Sequence, residues 1–237
     1  MASSQIFQYN VLSALMHGLC SDGFPLAHIL QHGEYGLGTV AGLEGEMLIL
    51  NGEALLFKQD GSVRVMREDE VIPWAMTTRF IPSVHLSVHS LNLARLATVL
   101  IGLDASGLNH FHVIQITGFF ESMTFRIIPP QQTPDETLLE ASKRQTYQTN
   151  YDLQGTLFGF WSPEFTAGIS LPGLHLHFIS ADKLMGGHVL EFFASSNTIS
   201  IASTNKYSIE LPTTAAFCRG KIPCATNEDV HRAEGSG

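Results

Sequence analysis

Three histidines in the second half of the chain have the spacing of a metal site. His175 and His177 are two residues apart in a β-rich segment, so their side chains project from one face of a strand. If a four-residue hairpin loop joins Ser180 to Met185, His177 falls opposite His188, and opposed residues of an antiparallel pair point to one face. Three imidazoles then converge and leave coordination positions open, as in catalytic zinc sites.

The same histidines also allow a simpler interpretation. The chain has 11 histidines, and His110 and His112 form a second His-x-His pair, so the pair alone does not specify a metal. Gly186 and Gly187 serve either the turn alone or a close approach of the backbone to a ligand. The metal interpretation therefore depends on the predicted hairpin register.

Strands and a few helices must position these side chains. Helical spacing of apolar residues predicts helices over residues 6–20 and 91–103, and a Pro-Asp-Glu start predicts another over 133–145. Two close turns, at Asn51-Gly52 and Asp60-Gly61, predict a β-meander. After residue 146 the pattern is again β-rich. The predicted fold is α+β, with mixed or antiparallel sheets and the metal site on strands.

The chain also has the features of two similar subdomains. The linker Pro129–Pro134 separates an N-terminal α/β subdomain, residues 1–128, from a C-terminal β-rich subdomain, residues 129–237, which carries the histidines and a functional tail. Segments 42–47 and 173–178 both read as a glycine turn that enters a strand with alternating polar residues. When the two segments are aligned, Glu46 matches His177, which indicates an internal duplication.

Composition excludes several classes of function. Of the 237 residues, 44% are hydrophobic and 15% charged, which predicts a folded protein rather than a disordered one. Acidic residues outnumber basic ones 22 to 13, and the net charge of −9 disfavours a nucleic-acid partner. A small anion stays possible, because one arginine or metal ion can reverse the field locally.

The location of the protein is predicted from three further features. The first basic residue is Lys58, so the basic region of a signal peptide is missing, and the apolar stretch 91–103 is too short for a membrane span. Cys20, Cys218 and Cys224 are an odd number of widely spaced cysteines, which favours buried thiols in a reducing compartment. These features predict a cytoplasmic protein without membrane contact.

The histidine block resembles the zinc-binding signature of the acetolactate decarboxylases. Pro172–Ser180, followed by Gly186–Leu190, carries this resemblance most specifically. Further segments that are similar to the family in order and spacing are Gly36–Thr39, Leu43–Glu46, Arg126 ahead of Pro129, and Gly155–Trp161. The resemblance spans nearly the whole chain.

This resemblance implies a fold, a metal and a reaction. It implies two subdomains with mixed β-sheet, a homodimer, and Zn²⁺ or another divalent metal held by His175, His177 and His188 beside an acidic residue of the C-terminal tail. Glu234 stands where that acid is expected, although a frayed, polar chain end is the alternative interpretation. The implied enzyme is a lyase that converts 2-acetolactate to acetoin and carbon dioxide.

Each polar residue of the resemblance has an expected role. Loss of carbon dioxide leaves an enediolate, whose charge a bound zinc ion would stabilise. Arg126 suits the substrate carboxylate or the enediolate, unless it only extends to the surface. Glu46 is the expected acid that yields one acetoin enantiomer, and Glu46 and Arg126 can exchange parts of this proton relay. Thr39 either binds substrate or a glutamate or is an ordinary strand residue.

Two other classes of protein fit the same histidines. A metal-dependent sensor that binds a hydroxy-keto acid would need the metal and Arg126 but no proton donor. A zinc hydrolase would turn over esters or amides without releasing carbon dioxide. Three histidines specify a metal and not a reaction, so only the resemblance favours the decarboxylase. It leaves open whether the acetoin serves overflow metabolism, butanediol production or removal of an intermediate.

Overall fold

Most of the regular secondary structure is β-strand. The computed structural model describes residues 4–103 and 109–234. The strands, in chain order, are β1 (Ile6–Tyr9), β2 (Phe24–Pro25), β3 (Tyr35–Thr39), β4 (Glu46–Leu50), β5 (Glu53–Phe57), β6 (Val63–Val65), β7 (Val71–Ile72), β8 (Trp74–Thr78), β9 (Val84–Val88), β10 (Phe111–Ile127), β11 (Thr146–Ser162), β12 (Gly173–Ser180), β13 (Gly186–Thr204) and β14 (Tyr207–Glu210). The α-helices are α1 (Leu12–Met16), α2 (Leu26–Leu30), α3 (Leu93–Leu103), α4 (Leu138–Ser142), α5 (Ala215–Arg219) and α6 (Asn227–Glu234). The α+β prediction is confirmed.

The first sheet has seven strands in the order β14, β1, β8, β3, β4, β5 and β6. Neighbouring strands in this sheet are antiparallel, except that β1 and β14 run parallel. Asn51 and Gly52, with φ of 52° and 80°, form the two-residue turn between β4 and β5. Both residues tolerate positive φ, which such tight hairpins require. The predicted β-meander is therefore confirmed.

The second sheet closes on itself. Its order is β10, β11, β12, β13 and β9, and β10 also pairs with β13 along most of its length. Each of the four long strands from β10 to β13 thus pairs with two of the others. The two sheets share a hydrophobic core, in which Leu48 and Phe57 of the first sheet pack with Phe158 of the second. Side chains from both sheets can therefore meet between them.

The predicted opening helix over residues 6–20 is wrong in its first part. Ile6–Tyr9 is strand β1, and a shorter helix, α1, follows after Asn10, whose φ is 64°. Every β1 side chain is buried, because Ile6 belongs to one hydrophobic cluster and Phe7 and Tyr9 belong to another. A strand buried on both faces carries a nearly continuous apolar run, which sequence periodicity cannot separate from a buried helix.

The other two predicted helices exist but begin at different residues. The helix α3 begins at Leu93, and the Asn92 side chain accepts a hydrogen bond from the Arg95 backbone N–H at 2.9 Å. The prediction over 133–145 shrinks to α4, because Thr137 and Glu140 form a capping box there. Sequence patterns thus located both helices more reliably than their ends.

Sheet membership does not follow the predicted division at residue 128. The strands β9 and β10, which precede that residue, belong to the second sheet, while β14 belongs to the first. The division into residues 1–128 and 129–237 therefore stays a prediction. In the described residues, no helix is long and apolar enough to cross a membrane.

The prediction of buried thiols holds for only one cysteine. Cys20 is buried, whereas Cys218 and Cys224 are exposed, and all three are free. The exposure of Cys218 follows from its position in α5, a short helix without buried residues. Cysteine number and spacing do not reveal which elements are peripheral.

Gly159 of β11 is required by the close approach of β12. An added Cβ would lie 1.9 Å from the His175 carbonyl oxygen, a backbone atom that cannot move alone. We expect Gly159→Ala to lower the free energy of unfolding by about 2–3 kcal/mol, as overpacking does, and to displace His175. Urea unfolding checks this.

Gly102→Ala is the matched control for this substitution. A Cβ at this exposed helical position meets nothing within 4 Å, so stability should rise by up to about 1 kcal/mol. Equal urea midpoints for Gly159→Ala and the wild type would contradict the steric account.

Candidate metal centre

The β12–β13 hairpin brings the three histidines together. The Ser180 N–H donates to the Met185 carbonyl oxygen at 3.0 Å, and the Asp182 carboxylate accepts from the Leu184 N–H within the loop. This loop sets the register that places His177 opposite His188. The register predicted from the loop length is confirmed.

The three imidazoles form a tight and buried group. His175, His177 and His188 are 5%, 0% and 3% exposed, and one potential ligand nitrogen from each lies within 4.8 Å of the others. The distances between ring centroids are 5.0–5.4 Å. His177 Nδ1 lies 2.9 Å from the Met47 carbonyl oxygen of β4, so this nitrogen carries the proton and the Nε2 lone pair is free.

The donor atoms fit a divalent metal ion. His175 Nδ1, His177 Nε2 and His188 Nδ1 are buried without a hydrogen-bond partner, and buried polar atoms are normally satisfied. Burial lowers the pKa of His175 to about 3, with Arg126 acting in the same direction. Burial also lowers the pKa values of His177 and His188 well below the usual range. Neutral imidazoles with free lone pairs are the form that binds metal.

Arg126 lies beside the histidines and pairs with two glutamates. It is opposite His188 in the β10–β13 pairing and only 1% exposed. Its Nη1 donates to Glu46 Oε1 at 2.6 Å, its Nη2 to the Glu234 carboxylate, and its Nε to the Glu234 carbonyl oxygen at 3.2 Å. The interpretation in which Arg126 extends to the surface is therefore wrong, because β10 is covered at this point.

Both glutamates also approach the histidines. Glu46 Oε2 lies 3.6 Å from His177 Nε2, and Glu234 Oε2 lies 3.5 Å from His188 Nδ1. Burial raises the pKa of Glu46 to about 7, where Glu234 adds to the effect and Arg126 opposes it. Glu234 is 4% exposed at the end of α6, which packs against α4. The frayed interpretation of Glu234 is thus wrong.

A small cavity opens beside this group. Its volume is about 30 Å³. Its lining combines polar and apolar side chains, namely Leu12, Leu15, Gly38, Thr39, Leu43, Glu46, Trp74, Arg126, Ile128, Leu138, His175 and Glu234. The Thr39 hydroxyl donates to the Gly45 carbonyl oxygen at 2.7 Å. Thr39 therefore lines the cavity with its proton engaged by the backbone.

Two contacts of the site were not predicted from the sequence. The Trp74 ring stacks on His175 with 5.6 Å between centroids and 24° between planes. The Met47 carbonyl group orients His177. Trp74 pairs with Thr39 across β8 and β3, a contact between segments that no local pattern links. The Met47 contact is made by a backbone carbonyl group, so the residue type at this position does not predict it.

The fold and the site together define a class of protein. It is an α+β protein with a three-histidine group that could hold a metal, next to a buried arginine and a small cavity. A sequence profile of the alpha-acetolactate decarboxylase family matches residues 6–223. The chain belongs to the alpha-acetolactate decarboxylase family, as the resemblance implied.

Relatives and solved structures agree with this assignment. Alpha-acetolactate decarboxylase of Brevibacillus brevis is 31% identical over 97% of this chain and 80% of its own length. The enzyme of that name from Lactococcus lactis subsp. cremoris is 34% identical over 88% of each chain. The crystal structure of alpha-acetolactate decarboxylase from Bacillus subtilis strain 168 has a TM-score of 0.93 and 28% identity, and the match covers 98% of this chain and 100% of that one.

Proposed function

We propose that this protein decarboxylates 2-acetolactate to acetoin and carbon dioxide. The observation that carries the proposal is the position of His175, one of the three grouped histidines, beside Arg126 and Glu46 at one cavity, in a chain of this family. His175, His177 and His188 would hold the metal, for which we propose Zn²⁺ from the nitrogen donor set. When bound, the ion supplies a Lewis acid for the negative charge that develops on the substrate oxygens.

Arg126 is proposed to bind and orient the substrate. Its planar guanidinium suits the carboxylate of 2-acetolactate or the oxygens that become charged as the reaction proceeds. Glu46 and Glu234 both accept hydrogen bonds from Arg126, so they hold the side chain toward the cavity. We assign Glu234 a positioning role, since it also anchors Arg126 through its carbonyl oxygen. Thr39 contributes a polar wall on the same side.

Glu46 is proposed to deliver the proton. The bond between the carboxylate carbon and the adjacent carbon breaks, carbon dioxide leaves, and the electron pair stays on the substrate as an enediolate. A proton from Glu46 then forms the new C–H bond on the cavity face that Glu46 lines, which gives one acetoin enantiomer. Leu12, Leu15 and Leu43 give the cavity an apolar part of its wall, which supplies no competing proton donor.

Two further parts of the proposal come from the resemblance. We propose that the protein acts as a homodimer in the cytoplasm. Light scattering on the purified protein checks the oligomeric state, with a mass of about twice 25.9 kDa expected. A monomer would remove the dimer from the proposal without affecting the reaction.

Glu46→Gln separates the decarboxylase from the sensor alternative. The amide keeps an acceptor for Arg126 but has no acidic proton, so acetoin formation should fall at least ~100-fold while zinc content stays at the wild-type level. Glu53→Gln is the matched control, because Glu53 is paired with the exposed Lys183 on the surface. If Glu46→Gln keeps wild-type turnover, the proton role is wrong. If the wild type and Glu46→Gln both bind 2-acetolactate and neither forms acetoin, the sensor alternative holds.

A further inference from the structure

A second group of potential metal ligands lies between α2 and β14, outside the cavity. His28 belongs to α2, His32 follows this helix, and Glu210 ends β14. One ligand atom from each residue lies within 4.8 Å of the others. None of the three lines the cavity of the histidine centre. The proposed reaction does not use them.

The backbone brings these three side chains to one place. The His32 N–H donates to the Ile29 carbonyl oxygen at 3.1 Å, so the helical turn continues past α2. Residues four apart on a helical turn share a face, which aligns His28 with His32. The Glu210 backbone is fixed because its carbonyl oxygen accepts from the Asn10 N–H at 2.8 Å, and Glu210 Oε2 lies 3.0 Å from His28 Nε2.

Neighbouring aromatic rings hold both imidazoles in position. Phe7 stacks on His32 with centroids 3.6 Å apart and planes 5° apart. Phe24 packs on His28 with centroids 4.1 Å apart. Side chains that are already ordered lose less conformational entropy on binding a ligand. The two imidazole ligands of the site are thus preorganised.

We propose that His28, His32 and Glu210 form a second site for a divalent transition-metal ion such as Zn²⁺. Two imidazoles and one carboxylate are a ligand set that zinc accepts. The His28 and Glu210 side chains are 31% and 39% exposed, so water can complete the coordination.

A metal at this site would connect α2 to β14. In the described structure, β14 is an edge strand that pairs only with β1. An ion that binds the folded chain and not the unfolded one stabilises the fold. The site therefore serves stability, and acetoin formation does not depend on it.

Calorimetric titration of the metal-free full chain with Zn²⁺ tests this site. We expect two zinc equivalents per wild-type chain. His32→Gln and Glu210→Gln should each weaken one of the two sites at least ~10-fold and leave acetoin formation unchanged. His85→Gln, at an exposed histidine outside both groups, should still bind two equivalents.

The histidine centre can be removed separately. His177→Ala should retain one equivalent, and zinc should raise the melting temperature of His177→Ala but not of His177→Ala combined with His32→Gln. The second site would be overturned if the wild type bound a single zinc equivalent and His32→Gln bound that equivalent with the same affinity. Wild-type zinc affinity at both sites in both His32→Gln and Glu210→Gln would overturn it as well.

Discussion

His177→Ala should eliminate acetoin formation, with a loss of at least ~1,000-fold, which corresponds to about 4 kcal/mol of transition-state stabilisation. His177 is fully buried, and its Nε2 is one of three unpaired nitrogens that face each other. Alanine removes this donor and also leaves the Met47 carbonyl oxygen without its partner. Acetoin yield and zinc content by mass spectrometry of the purified variant are the measurements.

A matched control separates loss of the donor from loss of any histidine. His89 is exposed, and its Nδ1 lies 3.3 Å from the Ser195 carbonyl oxygen at the surface. His89→Ala should keep wild-type zinc content and activity. Full activity of His177→Ala with no zinc at the three-histidine group would show that this group has no catalytic role.

Arg126→Met should produce the largest loss of stability among these variants. Methionine removes the guanidinium and leaves the carboxylates of Glu46 and Glu234, which are 7% and 4% exposed, without their partner. Removing one side of a buried ion pair typically costs about 3–5 kcal/mol. Urea unfolding of the metal-free protein checks the stability, and acetoin formation should fall at least ~100-fold.

A triple variant isolates the electrostatic cause. Arg126→Met combined with Glu46→Gln and Glu234→Gln removes all three charges, so it should recover part of the lost stability while remaining inactive. If Arg126→Met unfolds at the wild-type urea concentration, the buried network does not contribute to folding as described.

The histidine register was accessible from the sequence because it depends on local geometry. A hairpin needs only a loop length and a period of two, and both are visible around Ser180 and Met185. The position of Arg126 beside His188 was not accessible in this way. It depends on the pairing of β10 with β13, which shifts register at three places between Phe119 and Phe125. Such bulges arise from tertiary packing.

Segments that lie far apart in the chain explain the remaining differences. The β1 strand was predicted as helix because its pairing with β8 and β14 overrides local propensity. Trp74 reaches His175 only because residues of the two sheets share one hydrophobic core. Glu234 was expected from the family resemblance, while its burial depends on α6 packing against α4. Local patterns carry no information on these contacts.

The central claim is tested most directly by acetoin and carbon dioxide formation from racemic 2-acetolactate. Purified protein is assayed as prepared, after chelation, and after zinc is restored. The account predicts equimolar acetoin and carbon dioxide that disappear on chelation and return with zinc. Stoichiometric zinc binding by the three-histidine group without any acetoin would contradict the proposed reaction.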